Sequence, residues 1–255
     1  MKIIINADDF GMNDGVNAAV ERAFRRGCLN SASLMPFAQS AAAAFKIARD
    51  NPGLAVGLHA DFDRGFIMMM IDWIFRREKF KKWIEQKLRA QIQECARHGV
   101  KHLSHLDSHR NVHMIPAVFS VFKNLAAEYK IPRVRVVNEN FFLVIFDNPG
   151  FDWIKTGAWM KWPILTVLRW MSGRAAQSDT YFYGLTYSGK LFGRNAQKIR
   201  VPSYYNSVEV SSHPSAFLDA SGGKHAIDYI FHSSPDRTRE FETLMNKKFL
   251  KNIIF

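Results

Sequence analysis

Four short stretches of this 255-residue chain concentrate the residue types that metal-assisted hydrolysis uses. Asp8 and Asp9 stand just after the apolar run Lys2 to Ile5, and His59 ends Leu54-Ala55-Val56-Gly57-Leu58. Asp107, His109 and His113 follow His102-Leu103-Ser104-His105-Leu106, and His213 follows Val208-Glu209-Val210-Ser211-Ser212. A divalent ion needs imidazole and carboxylate ligands with positions left open, and one Asp with two His suffices. Such an ion lowers the pKa of bound water from about 15.7 toward about 7–9 and polarises a carbonyl. A second carboxylate can take the water proton, and a His opposite can protonate a leaving amine. Adjacent aspartates suit the two carboxylate tasks because neighbouring side chains diverge, one toward the metal and one toward the water.

These groups meet only if the elements before them share an edge. Short β-type runs alternate with helical periods along the chain. Val16, Ala19, Val20, Ala23 and Phe24 fall at i, i+3, i+4, i+7 and i+8 behind an N-cap at Asn13 or Asp14, and Gly27 closes that helix. Residues 30–35 and 54–58 read as strands around an Ala-rich helix near 40–50. A long charged helix is predicted at about 77–98, then a strand at 101–106, a helix at about 115–129 and a strand from Arg133 to Val137. A strand from Ser207 to Ser211 and a helix near 236–250 complete the pattern. No repeat, low-complexity tract or Pro/Gly/Ser linker marks a boundary, so residues 1–255 read as one α/β domain with a parallel sheet, open or barrel. In such folds the strand C-termini share one edge, where ligands collect.

Composition narrows the class. At 47% hydrophobic and 23% charged the chain is ordinarily globular, which excludes wholesale disorder. Two cysteines, Cys28 and Cys95, lie too far apart for a CxxC site and imply no disulfide framework. Three isoleucines after Met1-Lys2 are too few for a secretory core, and Asp72, Lys161 and Arg169 break the most apolar runs, so a soluble cytoplasmic protein is expected. The formal net charge is +12. Arg64–Lys101 and Gly150–Tyr205 each carry +6 and the remainder is neutral, so the excess sits in two segments that are also rich in Trp, Phe, Met and Ile.

At this point the residues match a family. Asn6-Ala7-Asp8-Asp9-Phe10-Gly11, Val56-Gly57-Leu58-His59, Leu106-Asp107-Ser108-His109 through His113, and His213-Pro214 resemble the YdjC-like carbohydrate deacetylases, with Leu29 to Met35 and Tyr183-Gly184…Ser188-Gly189 alongside. The matching blocks run from residue 1 to about 245. The resemblance implies a distorted (β/α) TIM-like barrel with mostly parallel strands, and hydrolysis of the N-acetyl group of an amino sugar with release of acetate. Carried over by position, it implies that Asp9, His59 and His109 hold a divalent metal, Mg or Zn, and that Asp8 is the general base. His213 would be the general acid, by analogy with the wider polysaccharide deacetylases. His113, at i+4 from His109 on a helix, and Asp107 are candidates for a ligand or for a group that orients one. The chain departs from the family pattern where Asp61-Phe62-Asp63-Arg64-Gly65 leads straight into a Met-rich apolar stretch.

Arg135 is a candidate to bind a substrate oxygen, with a surface salt bridge as the plainer reading. His98, His102, His225 and His232 read as structural or surface residues, and His105 as embedded in the sheet. The two basic aromatic segments, near 64–101 and 150–205, read either as core with a solvated face or as a rim that leans on an anionic membrane, Trp at the interface and Lys/Arg toward headgroups. The second reading makes the substrate a lipid-linked amino sugar and the protein peripheral to the inner face of the membrane. A homodimer is left open. A non-catalytic nucleic-acid-binding protein would explain the charge but leaves Asp8, Asp9, His59, His109 and His213 unused, and no nucleic-acid motif is present. The same site could also serve a deformylase or a phosphoesterase.

Overall fold

The computed structural model describes residues 2–148, 157–193, 198–217, 234–246 and 251–254. The strands are β1 (Lys2–Phe10), β2 (Ser31–Leu34), β3 (Ala55–Ala60), β4 (Leu106–Ser108), β5 (Thr180–Tyr183), β6 (Ile199–Arg200), β7 (Ser207–Ser212) and β8 (Ile253–Ile254). The α-helices are α1 (Asp14–Arg25), α2 (Ala41–Asp50), α3 (Phe66–Phe75), α4 (Arg77–Arg97), α5 (Pro116–Glu128), α6 (Phe141–Asp147), α7 (Ala158–Met171) and α8 (Pro235–Met245). Six strands form one sheet in the order β4-β3-β2-β1-β7-β5, every neighbouring pair parallel, and the sheet curls into a half-barrel. β6 and β8 make a separate two-stranded parallel pair. The expected α/β barrel class is therefore realised as an incomplete barrel with β1 in its middle.

Local chemistry explains the elements. Asn13 caps α1 by accepting from the Val16 backbone N–H at 2.9 Å, and Gly27 leaves the helix at φ +71°. The stripe Val16, Ala19, Val20 and Ala23 is wholly buried against the sheet. Pro116 starts α5, where its missing N–H costs nothing. In β3, Gly57 lies under His105: a Cβ there would come within 2.3 Å of the imidazole. Only glycine lets that ring lie flat over the strand.

Several sequence expectations shift. β1 runs on to Phe10, so Asp8 and Asp9 belong to the strand rather than following it. The strand expected at 101–106 begins only at Leu106, although the Ser104 N–H and the His105 carbonyl already bond Val56 and Leu58 of β3, and the buried His105 ring is held by Ser33 and Ser104. Residues 133–137 make one isolated bridge, Val134 to Leu106, rather than a strand. The helix near 236–250 is α8, and residues 247–250 lie outside the described residues, as do His225 and His232. Helices α3, α6 and α7 and strand β5 come from the aromatic-rich segments and their neighbours, where apolar residues on every side hide the period. Among the described residues, no helix is long and apolar enough to cross a membrane.

Candidate active site

The C-terminal end of β1 is irregular, and the site is built on that irregularity. Asp9 has φ +64°, and the pairing of β1 with β2 slips between Ala7 and Phe10. A left-handed non-glycine residue costs about 1–3 kcal/mol and persists where its surroundings hold it. Bulges of this kind re-aim side chains at active sites. Here the bulge gives two neighbouring carboxylates separate sets of partners.

Asp9 faces two imidazoles. Its Oδ1 lies 3.4 Å from His59 Nε2 and 3.2 Å from His109 Nδ1, is buried, and accepts no hydrogen bond. Its Oδ2 is taken by Arg237 Nη2 at 3.1 Å. The opposite nitrogen of His59, Nδ1, is fixed by Asp107 Oδ1 at 2.7 Å, which leaves Nε2 aimed at Asp9. Carboxylate support behind a ligating imidazole is the usual arrangement at metal sites. One ligand atom from each of Asp9, His59 and His109 lies within 4.8 Å of the others, so these residues could hold a metal ion. An unbonded, buried carboxylate oxygen facing two imidazole nitrogens is the donor set that a divalent ion fits. Burial alone would lower the His59 pKa, but the Asp107 carboxylate, hydrogen-bonded to the ring, and the nearby Asp9 and Asp8 carboxylates push it up to about 10. Protons and a metal would therefore compete for this ring.

Two further groupings, Asp8–His59–Asp107 and His105–Asp107–Glu209, also converge. Both are already served by a cation of the chain itself. Arg135, 1% exposed, bonds Asp8 through two nitrogens at 2.9 and 2.8 Å, Glu209 through Nε at 2.8 Å, and lies 2.7 Å from Asp107 Oδ2. Asn6 Nδ2 and Ser211 Oγ also donate to Asp8, at 2.7 and 2.9 Å. Burial would raise the Asp8 pKa, but the guanidinium outweighs it and holds the carboxyl below its ordinary value. Asp8 is thus an ionised, fully oriented carboxylate.

Across from it, His213 Nε2 lies 3.8 Å from Asp8 Oδ2, and β7 delivers it beside β1 through the register Ala7 to Ser212. Its backbone is clamped by α8. Glu240 Oε1 accepts from His213 N at 2.8 Å, and Arg237 Nε donates to His213 O at 2.9 Å. Burial lowers the His213 pKa to about 4 in spite of Asp9 and Asp8 nearby, so the ring rests neutral.

The sequence-derived residues separate accordingly. Asp8, Asp9, His59, His109, Asp107 and His213 come together at one mouth, with His109 and His213 its more open members. His113 does not join them. Arg110 and Asn111 adopt φ of +59° and +56°, so the segment His109–Met114 is a kinked 3-10 turn and the helical i+4 relation fails. His113 Nδ1 pairs with Ser108 Oγ at 2.8 Å inside the turn, and burial lowers its pKa to about 3. Arg135 is also corrected: its guanidinium is occupied by Asp8, Asp107 and Glu209, so it anchors carboxylates instead of reaching for a substrate. Ser33, Glu209 and Ser211 were missed, though they are polar residues at alternate buried positions of apolar strands, a readable sign. Arg237 and Glu240 carried no such sign.

The fold and this cluster define an α/β half-barrel protein with an Asp/His mouth at the C-terminal edge of its parallel strands. The chain matches the YdjC-like proteins over residues 2–253 and belongs to that family. A carbohydrate deacetylase of Brevibacillus brevis is 37% identical over 145 residues, 52% of this chain and 58% of that protein. One of Geobacillus stearothermophilus is 34% identical over 141 residues, 51% of this chain and 57% of that protein. The matches thus span well under two thirds of those relatives. A carbohydrate deacetylase of Halalkalibacterium halodurans is 26% identical over 270 residues, 99% of each chain. In structure, an Enterococcus faecalis V583 protein named for cellobiose-phosphate cleavage superposes with TM-score 0.63 at 20% identity, covering 100% of this chain and 96% of that one, a likeness of fold.

Proposed function

We propose that this chain is a metal-dependent carbohydrate N-deacetylase that hydrolyses the N-acetyl group of an amino sugar to acetate and a free amine. The observation that carries the reading is the unbonded Oδ1 of Asp9 facing His59 and His109, with Asp8 and His213 beside it. Asp9, His59 and His109 would hold the ion, Mg or Zn, which when bound acidifies water and polarises the acyl carbonyl. Asp8, ionised and immobilised by Arg135, takes the proton of the attacking water. His213, neutral at rest and 3.8 Å from Asp8, passes that proton to the departing nitrogen. Asp107 keeps His59 in the tautomer that leaves Nε2 for the metal. The names of the relatives support the sugar as substrate. We extend the reading to an amino sugar carried on a lipid and met at the inner face of a membrane.

The test is product analysis on N-acetylated chito-oligosaccharides and aminoglycosyl lipids, with the protein as purified, chelated, and reloaded with Mg or Zn. Acetate that disappears on chelation and returns with metal is expected. Formate from N-formyl sugars or phosphate from phosphoesters, without acetate, would overturn the reading.

A further inference from the structure

Two helices near the mouth bury one face and present a second apolar face to solvent. On α3, Ile67, Met68, Ile71, Ile74 and Phe75 are exposed, Phe75 by 78%, while Met69 points into the core. Their spacing of i, i+1, i+4, i+7 and i+8 is a continuous helical stripe. On α7, Trp159, Met160, Ile164, Val167, Trp170 and Met171 form a second outward stripe, Trp170 80% exposed, opposite the buried Leu165 and Leu168. Phe142 on α6 continues it, exposed and edge-on to Trp162 at 5.5 Å. Scattered surface apolar residues need no explanation; two contiguous stripes do.

Their position is specific. Both α3 and α7 pack against the 3-10 turn His109–Met114, which carries the candidate ligand His109. The two helices therefore flank the segment at the mouth.

Their electrostatic setting selects the occupant. The acid within α3, Asp72, is buried and paired with Arg64 and Arg76, so it offers no negative charge outward. Beyond Phe75 come the exposed Arg77, Lys79 and Lys82, and α7 carries exposed Lys161 with Arg174 shortly after it. A second copy of this chain would bring like charges face to face, which opposes symmetric pairing. Nucleic acid would use the cations and the Trp rings but has no contact for Ile, Met and Val stripes. An anionic bilayer takes all three: aliphatic side chains into the acyl boundary, Trp at the interface, Lys and Arg among the headgroups.

We propose that the α3 and α7 faces form a docking surface for anionic lipid bilayers that sets the mouth at the membrane. This goes beyond the deacetylase reading and rests on it only where it concerns delivery of a lipid-carried sugar. Vesicle co-sedimentation of the full chain tests it, with phosphatidylcholine alone and with phosphatidylcholine containing phosphatidylglycerol. Binding is expected only to the anionic vesicles. It should fall about fivefold for each of Arg77→Gln, Lys79→Gln and Lys82→Gln. It should weaken in high salt, and Phe75→Ser combined with Trp170→Ser should abolish it. Circular dichroism and hydrolysis of a soluble chito-oligosaccharide by the Phe75→Ser/Trp170→Ser protein check that it is folded, and both should match wild type. Wild-type binding to anionic vesicles by that double variant, or no binding by the unaltered chain, overturns the proposal. A dimer that becomes monomeric in the double variant, without vesicle binding, reassigns the surface to self-association and equally overturns it. Asp8→Asn should dock like wild type, so failure of the reaction and failure of docking are read separately.

Discussion

Replacing single residues separates the roles that Asp8 and Asp9 hold on neighbouring positions. Asp9→Ala and His109→Ala should lose bound metal and acetate release together, measured by elemental analysis and product assay. Asp8→Asn should keep metal while turnover falls about 10²–10⁴-fold; an active Asp8→Asn protein would remove Asp8 from the base role. Arg135 is argued differently, because three carboxylates depend on it. Arg135→Met should lower stability by about 3–5 kcal/mol in urea unfolding, since the buried charges it leaves are uncompensated; an unchanged midpoint would contradict that arrangement. At this scale Asp8, Asp9, His59 and His109 were legible because reactive side chains followed apolar runs. The anchoring role of Arg135 was not, since the sequence does not reveal which carboxylates face a given arginine.

Elements decide whether those side chains arrive in register. β3 and β4 place His59 opposite Asp107, and Gly57 makes room for the ring of His105, which bonds Ser33. Gly57→Ala should therefore displace His105 and disturb the Ser33–Asp107 contact of 2.8 Å. A loss of about 1–3 kcal/mol in thermal stability, with reduced turnover, is expected; wild-type melting and activity would show that the ring can move freely. The regular helices α1, α2, α4 and α5 were readable from periodicity and caps. The start of β4 was placed too early because the run before it, with Ser104 and His105 bonded to β3 through their backbone, reads like the strand it adjoins. α3 and α7 were obscured because their second apolar face, which the core does not need, erases the amphipathic pattern.

At the scale of the whole molecule, the clamp between α8 and the sheet makes stability depend on pH. Burial raises the Glu240 pKa from 4.5 to about 8 although His213 donates to it. The folded state therefore holds a proton that the unfolded state has released, and stability should fall as pH rises from about 4.5 to about 8. Glu240→Gln should flatten that fall in melting curves recorded across the window; an equal slope in both proteins would refute the assignment. Part of the +12 charge, a global number in the sequence, is carried by the exposed Arg77, Lys79, Lys82, Lys161 and Arg174 beside two apolar faces. The central place of β1 has a consequence for biosynthesis. β1 can pair with β2 as soon as both are made, but its other edge waits for β7, about 200 residues later, or about 10–40 s at ordinary elongation rates. During that interval Ile3, Ile4 and Ile5 present an unsatisfied strand edge to solvent. A fragment ending at Asn206 should accumulate as aggregate and need a chaperone to stay dispersed, and addition of β7 alone should not suffice until α8 closes over His213.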